Sequence, residues 1–239
     1  MKYLKDVLKK TSFFKKILQK IDIQIQREAF IVKTIKSLDA GKTILDAGCG
    51  SQRYKKYCSH LDYKSQDFGK FTKDEKETLD VLNDEYQYGD IDYLGNIWDI
   101  NVEQDSFDAI LCTEVFEHIP YPNETIFEFS RVLKKDGILI LTAPSNSLRH
   151  MDPFYFYSGF SDRWFEHFLS KNGFEIISIE VVGDYYSWIA GEISRTALIN
   201  SFLSKIILVP AFLYFFYKKS TEASVNSLCA GYNIIAKKL

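Results

Sequence analysis

The sequence predicts an α/β protein built on a doubly wound, mostly parallel sheet. Three observations predict it. The run Thr43-Ile44-Leu45-Asp46-Ala47-Gly48-Cys49-Gly50 reads as a buried strand ending on two glycines spaced by one. A second strand pattern over residues 61–66 ends on an acid, Asp67, about twenty residues past that turn. Further apolar runs at residues 107–113, 138–144 and 174–182 alternate with helical patterns. Glycine at such a turn lets a ligand touch bare backbone. In an open α/β sheet the carboxyl end of the first strand is where a nucleotide-like ligand sits.

The bulk properties agree with a folded domain. The chain has 239 residues, 46% apolar and 26% charged, with a net charge of −2. That charge gives no general attraction to nucleic acid. The four cysteines, Cys49, Cys58, Cys112 and Cys229, form no paired motif and read as buried thiols of a reducing compartment. The N-terminus lacks an uninterrupted apolar core and a small-residue cleavage site, so no cleavable signal peptide is expected.

Residues 1–40 are expected to be a separate helical segment ahead of a domain over 41–239. Leu4, Val7, Leu8, Phe14, Leu18, Ile21 and Ile25 recur at helical spacing, while Lys2, Lys5, Lys9, Lys10, Lys15, Lys16 and Lys20 fill the other face. This is a capping helix with a solvated lysine face, or a basic amphipathic helix on an anionic membrane or partner. A second helix over 26–38 leads to Gly41, a candidate C-terminal cap. After the glycine turn a short helix is expected at 52–57. Asp67 is preferred over Asp62 for a ribose, because Asp62 lies inside the strand pattern and one carboxylate can accept from both ribose hydroxyls. A dinucleotide turn needs a third glycine, and Arg53 stands in its place.

Residues 69–90 read as a polar insertion and 91–100 as a short third strand with its loop. Strand four runs into Glu114-Val115-Phe116-Glu117-His118, so Thr113 ends it at the switch point of the sheet. A helix over 123–133 is expected, with apolar positions Ile126, Phe127, Phe129, Val132 and Leu133, and Lys134-Lys135-Asp136-Gly137 should turn the chain into strand five. An aromatic loop over 145–157 follows, then a helix over 163–172 closed by Gly173, strand six over 174–182 and strand seven over 228–237. Between the last two strands, residues 183–224 form an insertion. Its apolar run 206–217 is too short for the roughly 20 residues that span a bilayer. It is expected to be a hairpin or helix that docks on a membrane surface, a lipid-linked substrate or a second subunit, or is buried in its own domain.

Asp46-x-Gly48-x-Gly50 resembles the first motif of class I S-adenosylmethionine-dependent methyltransferases. The order of Phe107-Asp108, Glu117-His118, Arg131-Val132-Leu133-Lys134, Gly137 and the strand after it is similar to that family over residues 43–182. The resemblance implies a seven-stranded Rossmann-like sheet and S-adenosylmethionine as cofactor. It implies that Asp46, Gly48 and Gly50 hold the methionine end, Asp67 the ribose, and Thr113 the mouth near the reactive end. The adenine would be held by Asn96, where the family often has an acid, and by the Ile97 N–H, with Asp99 a rival to Asn96. An oxygen nucleophile often needs a base, and His118 and His150 follow strands four and five, where one is wanted. His60 and His167 are expected away from the mouth. The function expected is O-methylation of a small-molecule, glycan- or lipid-linked acceptor, in the cytoplasm or peripheral to the membrane through residues 1–25 and 196–217. A homodimer and no nucleic acid partner are also expected. Glu114-x-x-Glu117-His118 also resembles the metal-binding segment of small-RNA 3′-end and quinone O-methyltransferases, with His150 and Asp152 as further candidates, but the expectation set here is no metal. A cofactor-binding partner subunit or membrane scaffold without catalysis is the alternative of another class.

Overall fold

A computed structural model describes residues 23–71, 87–199 and 202–239. Most of the expected N-terminal helix and most of the polar insertion at 69–90 lie outside these residues. The chain divides into two compact units, residues 30–180 with 231–239 and residues 1–29 with 181–230.

The sheet carries seven strands: β1 (Thr43–Ala47), β2 (Asp62–Asp67), β3 (Tyr93–Leu94), β4 (Phe107–Thr113), β5 (Leu133–Pro144), β6 (Phe174–Val182) and β7 (Gly231–Lys238). Their order is β3-β2-β1-β4-β5-β7-β6. The pairs β1–β2, β1–β4, β2–β3 and β4–β5 are parallel, and β7 runs antiparallel to β5. Because successive side chains alternate faces, the central strands split their apolar residues between two cores. Leu45, Ile110 and Leu141 point into one cluster with Phe116, Phe129 and Phe165. Ile44, Leu111 and Ile140 point into the other with Ile31, Ile35 and Tyr54. Burial on both faces is why these strands read as continuous apolar runs.

Helix α1 (Ile23–Lys36) precedes β1, α2 (Pro122–Val132) joins β4 to β5, and α3 (Asp162–Lys171) precedes β6. Several expectations need correction. Helix α1 stops at Lys36, so Gly41 is not its cap; it sits in the following turn at φ +80° and its N–H donates to the His60 carbonyl. The expected helix at 52–57 is only a 3₁₀ turn, Lys55–Tyr57. The stretch Lys134-Lys135-Asp136-Gly137 is no turn but part of β5, where the register with β4 shifts and Asp136 takes φ +61°. Five steps along β5, Leu133 to Ile138, oppose two along β4, Phe107 to Ala109, and the three extra residues want the same turn-type chemistry. Phe127 is 64% exposed, because Ile126, Phe129 and Val132 already occupy the inward face of α2. Strand β7 begins at Gly231, three residues later than expected.

In the other unit the insertion is three helices, α4 (Tyr185–Ile199), α5 (Phe202–Tyr217) and α6 (Glu222–Ser227). Asp184 accepts from the Ser187 N–H at 2.9 Å and from Ser224 Oγ at 2.8 Å, which ties the start of α4 to α6. Leu203, Ile206, Ile207, Tyr214 and Tyr217 of α5 are exposed. Among the described residues, no helix is long and apolar enough to cross a membrane.

Candidate active site

Strands β3, β2, β1 and β4 are parallel neighbours, so their carboxyl ends share one edge of the sheet. That edge gathers Asp46, Gly48, Gly50, Asp67, Asn96, Ile97 and Thr113. Gly48 and Gly50 take φ +72° and +50°. A Cβ on Gly48 would stand 2.5 Å from Val115 Cγ2, so any side chain there must displace Val115. The turn is strapped to the end of β2. The Gly48 and Cys49 N–H groups donate to the Gln66 carbonyl at 2.9 and 3.0 Å. The Gly50 N–H donates to Asp67 Oδ2 at 2.9 Å, and the Gly69 N–H to Asp67 Oδ1 at 3.0 Å. Asp67 is buried and Asp62 is exposed, as their places on the strand require.

Two polar residues that sequence reasoning passed over complete this edge. Tyr63 donates its hydroxyl to Asp46 Oδ2 at 2.6 Å from the adjacent strand. Gln66 accepts from the Gly48 N–H through Oε1 at 3.3 Å and donates from Nε2 to the Gly95 carbonyl at 2.7 Å. Gln66 thereby holds the glycine turn and the loop after β3 together. Its position beside Asp67 was the available signal. Asn96 is exposed, while Ile97 is buried beneath it. Burial pushes the Asp46 carboxyl up to about 7, opposed by the Tyr63 hydrogen bond and assisted by the charge of Asp67. Burial also raises Asp67, against hydrogen bonds from the Gly69, Gly50 and Phe68 N–H groups. All four cysteines are free and buried.

A second group of side chains stands at the ends of β4 and β5. Phe116–His118 forms a 3₁₀ turn, and the loop after β5 returns over it. The Phe156 and Tyr157 N–H groups donate to the Glu117 carbonyl at 2.9 and 3.2 Å. This brings together His118 and His150, whose rings meet edge to face with centroids 4.6 Å apart. His118 Nδ1 lies 2.7 Å from the Phe154 carbonyl, and His150 Nδ1 lies 2.7 Å from the Leu148 carbonyl. A carbonyl can only accept, so each Nδ1 carries its hydrogen, and on His118, whose charged form burial disfavours, Nε2 keeps its lone pair. Burial, and then His150 beside it, lowers His118 to about 4. The same loop sets Phe154 edge-on against Phe68 at 4.8 Å, so it reaches the end of β2 as well. Glu114 and Asp152 are engaged elsewhere, with Thr142 Oγ1 and Arg149. His60 bonds the Ile35 carbonyl, and His167 lies on α3 against Phe168.

Residues 45–141 match the family model described as a methyltransferase domain. No curated protein matches the chain. Among solved structures it is similar to a geranyl diphosphate methyltransferase in complex with SAM, at TM-score 0.53 and 13% identity, over 90% of this chain and 85% of that one. It is similar to a SAM-dependent methyltransferase from Methanosarcina mazei, at TM-score 0.50 and 16% identity, over 87% and 97%. It is also similar to the [4+2]-cyclase SpnF, at TM-score 0.55 and 16% identity, over 90% and 81%. At these identities the structural likeness speaks for the fold.

Proposed function

We propose that this chain, which belongs to the class I S-adenosylmethionine-dependent methyltransferases, methylates an oxygen of a small, glycan-linked or lipid-linked acceptor. The transferase class and the cofactor come with the family; the acceptor and the residue roles are the proposal. The residues present fit S-adenosylmethionine, because a turn in which a Cβ at Gly48 must displace Val115 lies between the buried acids Asp46 and Asp67. Gly48 and Gly50 expose backbone to the methionine end, and Asp46 pairs with its ammonium group. Asp67 accepts from the ribose hydroxyls; its two oxygens carry about four lone-pair sites, more than the neighbouring backbone uses. The Asn96 side-chain oxygen and the Ile97 N–H address the adenine, and Thr113 lines the mouth. When bound, the cofactor supplies an electrophilic methyl group.

The observation that carries the acceptor reading is the His118–His150 pair beside this cradle. His118 Nε2 is the lone pair placed to take a hydroxyl proton, and His150 flanks it. Replacing both by alanine should lower turnover by roughly 10²–10⁴, the usual contribution of a positioned base, while cofactor affinity holds. Full turnover in that variant would remove the role.

The exposed apolar residues of α5 support an acceptor that is itself apolar or borne on a membrane. Flotation on anionic liposomes, with and without residues 1–25, tests the peripheral contact. Sedimentation tests the alternative that a second copy covers that face.

A further inference from the structure

We infer that Asn233, near the start of β7, binds a hydroxyl of a sugar ring carried by the acceptor, which narrows the acceptor reading above and rests on it. Strand register sets a row of polar side chains on one face of the sheet. Ile44, Leu111 and Ile140 share that face in the cluster with Ile31 and Ile35. Side chains alternate along a strand, so Asp46, Thr113 and Thr142, the next same-face residues of β1, β4 and β5, lie there too. Thr113 pairs with Thr142, and Thr142 pairs with Asn233. The face is therefore apolar in its middle and polar at the carboxyl ends of β1, β4 and β5, and the row runs on to β7.

Asn233 is 4% exposed, and its Oδ1 has no hydrogen-bond partner among the described residues. A buried amide oxygen left without a donor costs stability, so its presence asks for a reason. The nearest candidate donor by register is the Thr142 hydroxyl. That hydroxyl donates instead to Glu114 Oε1 at 3.0 Å. Glu114 reaches it by leaving β4 in the left-handed conformation, φ +52°, while its N–H donates to the Thr142 carbonyl at 3.0 Å. Such a backbone is uncommon for a residue with a long side chain, and strain of this kind collects at ligand sites. It commits the Thr142 hydrogen and keeps the Asn233 oxygen for a donor from outside the chain.

The chemistry of that donor follows from the position. A neutral amide oxygen closed off from water suits a neutral donor, a hydroxyl, better than a cation. Asn233 lies two strands beyond Thr113, about 10 Å at the usual strand spacing. A ring that turns one hydroxyl to the methyl group near Thr113 and another to Asn233 needs hydroxyls on separate carbons, as a sugar has. A simple lipid alcohol has only one.

The test uses the full chain with Asn233→Ala and Asn233→Val. Because Oδ1 is unbonded within the chain, the urea midpoint should hold or rise in at least one of them, and cofactor affinity by calorimetry should match the wild type. Methyl transfer from labelled cofactor is then followed to a panel of methyl glycosides, to their deoxy analogues, and to cyclohexanol and dodecanol. The wild type should methylate a glycoside and lose at least tenfold in kcat/KM on one deoxy analogue. Asn233→Ala should lose at least tenfold on the intact glycoside, chiefly through KM, and less than twofold on that analogue, because the partner is already gone. A lower urea midpoint in both variants, equal losses on glycoside and analogue, or methylation of the single alcohols with no glycoside accepted would overturn the assignment and leave the oxygen-acceptor reading standing. Transfer to amine nitrogens and to no hydroxyl would overturn both.

Discussion

Cofactor affinity should rise with pH between 5 and 7, and Asp46 is the cause. Its carboxyl sits at the buried end of β1, where loss of hydration pushes it from 3.8 up to about 7. Tyr63 opposes the rise by donating to the carboxylate, and Asp67 adds to it. Near pH 5 the free protein therefore holds a proton on Asp46. The proposed pairing of Asp46 with the cofactor's ammonium group requires the carboxylate, so binding must expel that proton. Apparent affinity is then scaled by the ionised fraction. It gains nearly tenfold per pH unit well below 7, about fiftyfold from pH 5 to 7 or about 2.3 kcal/mol, and levels off near pH 8. Calorimetry at pH 5, 6, 7 and 8, in buffers of different ionisation heat, reads both the affinity and the released proton. Asp46→Asn should flatten the profile. The same linkage acts on stability with the opposite sense. Between about pH 4 and 7 the folded state binds more protons than the unfolded state, so stability falls as pH rises through that window. Asp46→Asn should therefore relieve a penalty on the order of a few kcal/mol at pH 8. Equal affinity at pH 5 and 7, or the wild-type slope in Asp46→Asn, would refute the reasoning.

Gly48→Ala combines a left-handed backbone with a Cβ 2.5 Å from Val115 Cγ2; it should cost about 2–4 kcal/mol in urea unfolding. Adding Val115→Ala should recover the collision and leave the backbone strain, so a double variant no better than the single one would contradict the geometry. Phe116→Ala empties a fully buried site among Phe129, Phe160, Trp164 and Phe165; a loss of about 3–5 kcal/mol is expected by denaturant titration. Glu128 accepts from the Ile100 N–H at 2.7 Å and from Arg131 through both oxygens. Glu128→Ala should cost about 2–3 kcal/mol in the same assay.

The sheet was legible because its central strands bury both faces, which leaves unbroken apolar runs that no amphipathic helix produces. The gathering of Asp46, Gly48, Gly50 and Asp67 at one sheet edge, the edge proposed for the cofactor, was legible for a related reason. A strand end, two glycines and an acid after the next strand are local signals, and parallel pairing puts their carboxyl ends side by side. Lys134-Lys135-Asp136-Gly137 misled because a bulge and a turn both ask for residues that tolerate positive φ. Tyr63 and Gln66 were missed since a polar residue on a buried strand reveals its partner only through strand register. The meeting of His118 with His150 depends on a loop folding back to the Glu117 carbonyl, which spacing along the chain does not encode.

The central claim is that this strand-end pocket binds S-adenosylmethionine through Asp67. The direct test is calorimetric titration of the cofactor into the wild type and Asp67→Ala, with thermal melting to confirm that the variant is folded. One cofactor per chain is predicted for the wild type. A loss of at least tenfold in affinity is predicted for the variant, as expected when charge-assisted hydrogen bonds worth about 1.5–3 kcal/mol each are removed. Wild-type affinity in folded Asp67→Ala would contradict the account.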